Sequence, residues 1–193
     1  MRPDFAILLL WVVWALSWFA AAAWTNTTIK RAGLLRELPY RFLVLLGAYL
    51  LLGLHSSHYD LLYRFWRPLT GIAGWVLFLL VFAGLAFSWW ARLYLGRMWS
   101  SSITRKSAHH VVDTGPYRFV RHPIYTGITV ASLATAVMQG APSTFLGAAL
   151  MTAGWYIKAR LEERFLREEL GPEAYDSYAR RVPMLVPFVH WPL

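Results

Sequence analysis

Long apolar blocks alternate with short polar connectors along this chain, without the amphipathic spacing that lays a helix on a soluble core. Positions 5–24 form an apolar run without a charged residue, broken only by Ser17. At a rise of about 1.5 Å per residue, such a run is long enough to cross a bilayer. A second block, 42–54, is short, and a third occupies 71–95. Two further blocks, 124–138 and 144–157, flank Gly140-Ala141-Pro142, a turn signal that predicts a helical hairpin. The pattern predicts an all-α integral membrane protein with about five transmembrane segments. The last two would form the hairpin and a cytosolic C-terminal helix and tail would follow. The first block is too long for a signal peptide, and Asp4 stands where a basic region belongs, so it reads as a retained helix. The chain thus divides into three helices with short loops over 1–95 and a catalytic region over 96–193, joined in one integrated domain.

The polar segments set the orientation. Every Lys and Arg except Arg2, Arg64 and Arg67 falls in connectors 25–41 and 92–121 or in the tail from Lys158 onward. By the positive-inside rule that face is cytoplasmic, which puts the N-terminus outside and any active region toward the cytosol. Only 15% of the residues are charged, against about 25% in soluble domains. The net charge of +9 therefore reads as orientation signals and contacts with membrane lipids, with no nucleic-acid partner. There is no cysteine, which removes disulfides, thiolate metal ligands and cysteine nucleophiles. His55, His58 and Asp60 could ligate a metal, but their spacing matches no familiar site, and a wet loop explains them more simply. Trp89, Trp90 and Tyr94 suit an interfacial aromatic belt.

Candidate chemistry concentrates in Gly115-Pro116-Tyr117-Arg118-Phe119-Val120-Arg121-His122-Pro123-Ile124-Tyr125-Thr126-Gly127, where a polar connector meets the hairpin. Polar and charged groups beside a membrane segment are costly unless something uses them. Pro123 fixes φ and suits a first helical turn, so a helix should begin at the His-Pro step. A plain interfacial anchor is the simpler alternative. Downstream, Lys158 and Glu162 lie four residues apart on one helical face, with Glu163 beside them, and Gly171-Pro172 ends that helix. The stretch from Tyr175 through Phe188 reads as an aromatic, proline-bounded cover. No dinucleotide fingerprint, P-loop, nucleophile elbow or zinc-protease motif is present. What remains is cations, tyrosines, histidines and a carboxylate pair around a membrane cavity, suited to a transfer reaction that needs positioning and dryness.

The run Gly115-Pro116-Tyr117-x-x-x-Arg121-His122-Pro123-x-Tyr125-x-Gly127 resembles the signature of the isoprenylcysteine carboxyl methyltransferase family. Glu162-Glu163, Gly171, Tyr175, Tyr178 and Val182-Pro183 follow in that family's order, so the resemblance covers roughly 95–188. It implies an enzyme that uses S-adenosylmethionine to methylate a carboxylate on a prenylated or other lipophilic acceptor. It also implies a cofactor site formed by His109, His110, Val111, Val112, Tyr117, His122, Pro123, Ile124 and Tyr125, with Glu162 holding a donor group. Lys158 falls where the family places an arginine that engages the substrate carboxylate, and Arg121 would assist it. Lysine is a point charge and cannot make a bidentate fork. A phospholipid N-methyltransferase, an NADPH-dependent membrane ene-reductase using Arg105, Lys106 and Arg118, and a non-enzymatic membrane scaffold are the alternatives. Pro123 and Gly127 favour methyl transfer over reduction.

Overall fold

In the computed structural model, residues 1–22, 24, 28–31, 33–53, 64–96, 99, 104–106 and 112–189 are described. Their main elements are α1 (Pro3–Ala21), α2 (Leu34–Leu51), α3 (Gly71–Leu95), α4 (Pro123–Gln139), α5 (Pro142–Leu170) and α6 (Pro172–Arg181). Two short strands, β1 (Thr28–Arg31) and β2 (Thr104–Lys106), pair antiparallel and tie the α1–α2 connector to the connector that leads into the motif. The all-α expectation did not include this ribbon. Its four and three residues are too few to show a period in the sequence. His55, His58 and Asp60 lie outside the described residues, and no metal-binding cluster of His, Cys, Asp and Glu occurs among the described ones.

α1 and α3 are each long and apolar enough to cross a membrane, with mean hydropathy of 1.9 and 2.2. The side of α1 carrying Val12, Val13, Leu16 and Phe19 is exposed, which suits lipid as the surrounding medium. Its other side carries Trp11, Trp14 and Trp18 against the core, and indole N–H groups join the helices there. Trp11 donates to Thr135 Oγ1 at 3.0 Å, and Trp14 donates to Ser88 Oγ at 2.9 Å. Trp89 donates to Ser17 Oγ at 3.0 Å, so it joins helices rather than an interfacial belt, whereas Trp90 and Tyr94 are exposed. A buried indole needs such a partner because no water is there to replace it.

Two glycine pairs bring the helices into backbone contact. A Cβ on Gly127 of α4 would collide with the Gly84 carbonyl of α3, and one on Gly47 of α2 would stand 2.7 Å from the Gly147 carbonyl of α5. Without an aqueous hydrophobic drive, such small-residue contacts give membrane helices their packing energy. α2 begins well before the expected apolar block at 42–54, and Pro39 lies inside it. Pro39 lacks an N–H to reach back toward Leu35, but so near the start only one helical bond is missing. Glu37 and Arg41, four apart, pair across that turn. α4 opens on Pro123 and ends at Gly140 in the left-handed conformation (φ 65°), as the hairpin signal predicted. α5 is a single helix of 29 residues. At about 43 Å it exceeds a hydrocarbon core of about 30 Å, so its last turns project past the apolar arm.

Candidate active site

Arg121, His122 and Tyr125 of the signature converge on the projecting part of α5. His122 caps the mouth of α4 and reaches both glutamates, with Nε2 3.2 Å from Glu163 Oε1 and Nδ1 3.6 Å from Glu162 Oε2. Burial alone would lower its pKa, but the hydrogen bonds and charges of Glu162 and Glu163 outweigh that and raise it above the ordinary histidine value. Arg121 donates from Nε to Glu163 Oε1 at 2.7 Å and from Nη1 to the carbonyls of Ala179 and Val182 at 2.8 and 2.7 Å. The tail is strapped to the same residues. The Arg121 and His122 amides donate to the Pro183 and Met184 carbonyls, and Thr126 Oγ1 donates to Leu185 O at 2.7 Å. Tyr178 adds a hydrogen bond to the Tyr117 carbonyl at 2.9 Å. Burial keeps the phenols of Tyr175 and Tyr178 protonated, well above the usual tyrosine range.

One helical turn toward the membrane, the chemistry changes. Tyr125 donates to Glu162 Oε1 at 2.7 Å, and Lys158 Nζ lies 3.8 Å from the same oxygen. The Tyr125 ring stacks on Trp155 at 5.1 Å with an interplanar angle of 8°, and on His122 at 5.5 Å. Lys158 is buried, with its ammonium over the rings of Tyr40, Tyr125 and Trp155. A desolvated ammonium needs such compensation, and one carboxylate with three π-faces provides it.

The expected site residues separate on this map. Arg121, His122, Tyr125, Lys158 and Glu162 come together with Glu163, whereas Pro123 opens α4 and the Tyr117 hydroxyl turns to the Ala91 carbonyl of α3. Ile124 is buried in the apolar core and Val112 packs at its edge. His109, His110 and Val111 lie outside the described residues. Arg121 was expected to help hold an acceptor carboxylate. Its Nε and Nη1 are instead spent on Glu163 and on tail carbonyls, because the tail folds back over the motif, and Nη2 is buried without a hydrogen-bond partner among the described residues. Sequence reasoning missed Tyr40 and Trp155. Trp155 sits three residues before Lys158, a spacing that could have placed it on the same face. Tyr40 comes from α2, and nothing near it in the sequence links it to Lys158.

Helices thus pack around a buried cation–carboxylate–aromatic cluster, closed by a C-terminal strap. Residues 75–168 match the model of the isoprenylcysteine carboxyl methyltransferase family. The chain is 28% identical over 156 residues to protein-S-isoprenylcysteine O-methyltransferase B of Arabidopsis thaliana, covering 70% of this chain and 76% of that protein. It is 44% identical over 72 residues to methanethiol S-methyltransferase 1 of Bradyrhizobium diazoefficiens, covering 37% of this chain but only 24% of that protein. The solved structure of a eukaryotic intramembrane Ras methyltransferase, an isoprenylcysteine carboxyl methyltransferase, shares the fold at a TM-score of 0.51 and 20% identity. That alignment covers 81% of this chain and 52% of the solved one.

Proposed function

We propose that this protein moves a methyl group from S-adenosylmethionine to the carboxylate of a prenylated or other lipophilic acceptor, at a site facing the cytoplasm. The observation that carries the reading is Glu162, which joins Tyr125, His122 and Lys158 within one turn of α5. The donor set suits S-adenosylmethionine: a buried carboxylate to accept hydrogen bonds from an amine or ribose hydroxyl, flat aromatic rings, and the indole N–H of Trp155, which is buried without a hydrogen-bond partner among the described residues. His122 and Tyr125 would hold the donor with Glu162, and Tyr117 and Pro123 would wall the same space. When bound, S-adenosylmethionine supplies an already activated methyl carbon.

Lys158 would hold the acceptor anion, and the aromatic walls would keep water from it. An ionised carboxylate needs no base, so alignment and dryness are what the protein contributes. Five helices, α1 to α5, would span the membrane with the N-terminus outside, which places α6 and the strap on the cytosolic side. A thiolate acceptor is the second reading, favoured by the 44% identity to a methanethiol S-methyltransferase. Either acceptor is an anion, and Lys158 serves both.

Calorimetry on detergent-purified protein tests the donor. S-adenosylmethionine should bind saturably, Glu162→Ala and His122→Ala should lose that binding, and NADPH should not bind. NADPH binding without S-adenosylmethionine binding would overturn the reading in favour of a reductase. Transfer of a radiolabelled methyl group to an S-farnesyl thioether that bears a free carboxylic acid, or to methanethiol, then assigns the acceptor.

A further inference from the structure

The surroundings of Lys158 raise a question that holding an acceptor does not answer. Its ammonium lies 5.5 Å from the ring centroid of Tyr40, 5.4 Å from Tyr125, 5.7 Å from Trp155 and 3.8 Å from Glu162 Oε1. Three π-faces and one carboxylate form a receptor for a cation, not for an anion. Tyr125 and Trp155 lie nearly parallel, with an interplanar angle of 8°, and Tyr125 is fixed by its hydrogen bond to Glu162. The box is therefore assembled before any ligand arrives. An ammonium seated in it points its charge at Glu162 and away from any acceptor.

We propose that the box formed by Tyr40, Tyr125, Trp155 and Glu162 is the seat of the donor's sulfonium, and that Lys158 occupies it until the donor displaces the ammonium toward the acceptor. This rests on the methyltransferase reading. Two positive charges cannot share one dry box. A few ångströms apart and shielded from water, they repel each other strongly. Loading the donor thus releases the lysine, and the acceptor anion meets a cation only when a methyl group is ready. The product, S-adenosylhomocysteine, is a neutral thioether. It has no claim on the box, so Lys158 returns and the product is released.

The test compares S-adenosylmethionine with S-adenosylhomocysteine by calorimetry on the full chain. Lys158→Met should tighten the sulfonium ligand about tenfold and leave the neutral one unchanged, since only the former competes with the ammonium. Trp155→Leu should weaken the sulfonium ligand about tenfold, again sparing the thioether. In the double variant most of the gain from Lys158→Met should vanish. A gain that persists undiminished would mean ordinary long-range charge repulsion and would overturn the box. Equal shifts for both ligands would overturn it too. Affinity for S-adenosylhomocysteine also reports folding, and Lys158→Gln replaces Lys158→Met if that affinity is lost. A wild-type protein that binds neither nucleoside takes down the methyltransferase reading and the box together. Binding of both with no discrimination takes down the box alone.

Discussion

Glu162 and Glu163 stand next to each other on α5, and the packing around them sends them in different directions. Glu163 is 5% exposed at its side chain and faces Arg121 and His122, whose backbone amides in turn carry the strap of Pro183 and Met184. Glu162, at 21%, faces Tyr125 and Lys158 and opens on the aromatic box. The first carboxylate is enclosed by protein groups that must stay where they are. The second keeps company with groups that a ligand can rearrange. Identical chemistry one residue apart is thus divided between a clamp and a receptor. The divider is His122, which touches both.

The sharpest way to break this contrast is to remove the clamp. Glu163→Ala leaves the Arg121 guanidinium buried without its counter-charge and should cost about 3–5 kcal/mol of stability. A large fall in the thermal midpoint in detergent is expected, and an unchanged midpoint would deny the clamp. Glu162→Gln should do the reverse, weakening S-adenosylmethionine about 100-fold by loss of charge-assisted hydrogen bonds while moving the midpoint far less. If the two variants fall together in stability, the division between the glutamates is wrong. Gly127→Ala pushes α4 off Gly84 and should cost about 1–3 kcal/mol through overpacking, which denaturation in mixed micelles would read. Tyr178→Phe removes only the bond to the Tyr117 carbonyl, at about 1 kcal/mol, with faster proteolysis of the tail as the readout.

The gentlest probe is pH. The pKa of His122 is raised by its two glutamates, so the folded state holds the proton more tightly than the unfolded chain does. The stability this contributes is fully present below the unfolded histidine value of about 6.5, and it is lost as pH rises through the higher folded value. Thermal midpoints should therefore decline as pH rises above the unfolded histidine value of about 6.5. His122→Asn should flatten that decline, and a slope that survives the substitution would locate the titrating group elsewhere.

Much of this was legible along the chain. The apolar block at 71–95 became α3, and the His-Pro step opened α4. The spacing of Lys158 and Glu162 placed them on one face. These features are local: a hydrophobic run, a ring-locked φ and a helical period are each complete within a few turns. The early start of α2 was less legible, because Pro39 and the charged Glu37 and Arg41 look like a connector until their pairing is seen. The β-ribbon was not legible at all, since its strands are remote in sequence and too short to show a period.

By itself, then, the sequence determined a helical membrane protein with its polar chemistry at the mouth of a hairpin and on the helix that follows. Only the tertiary structure decided what each polar group does. Arg121 is committed to Glu163 and the tail because residues some 60 positions downstream fold back onto it. Lys158 is a caged cation because Tyr40, from a helix more than 100 residues upstream, lies against it. A side chain's type and spacing are written in the chain. Its electrostatic surroundings are the sum of groups that only packing brings within a few ångströms, and those surroundings set its charge state, its partners and its chemistry.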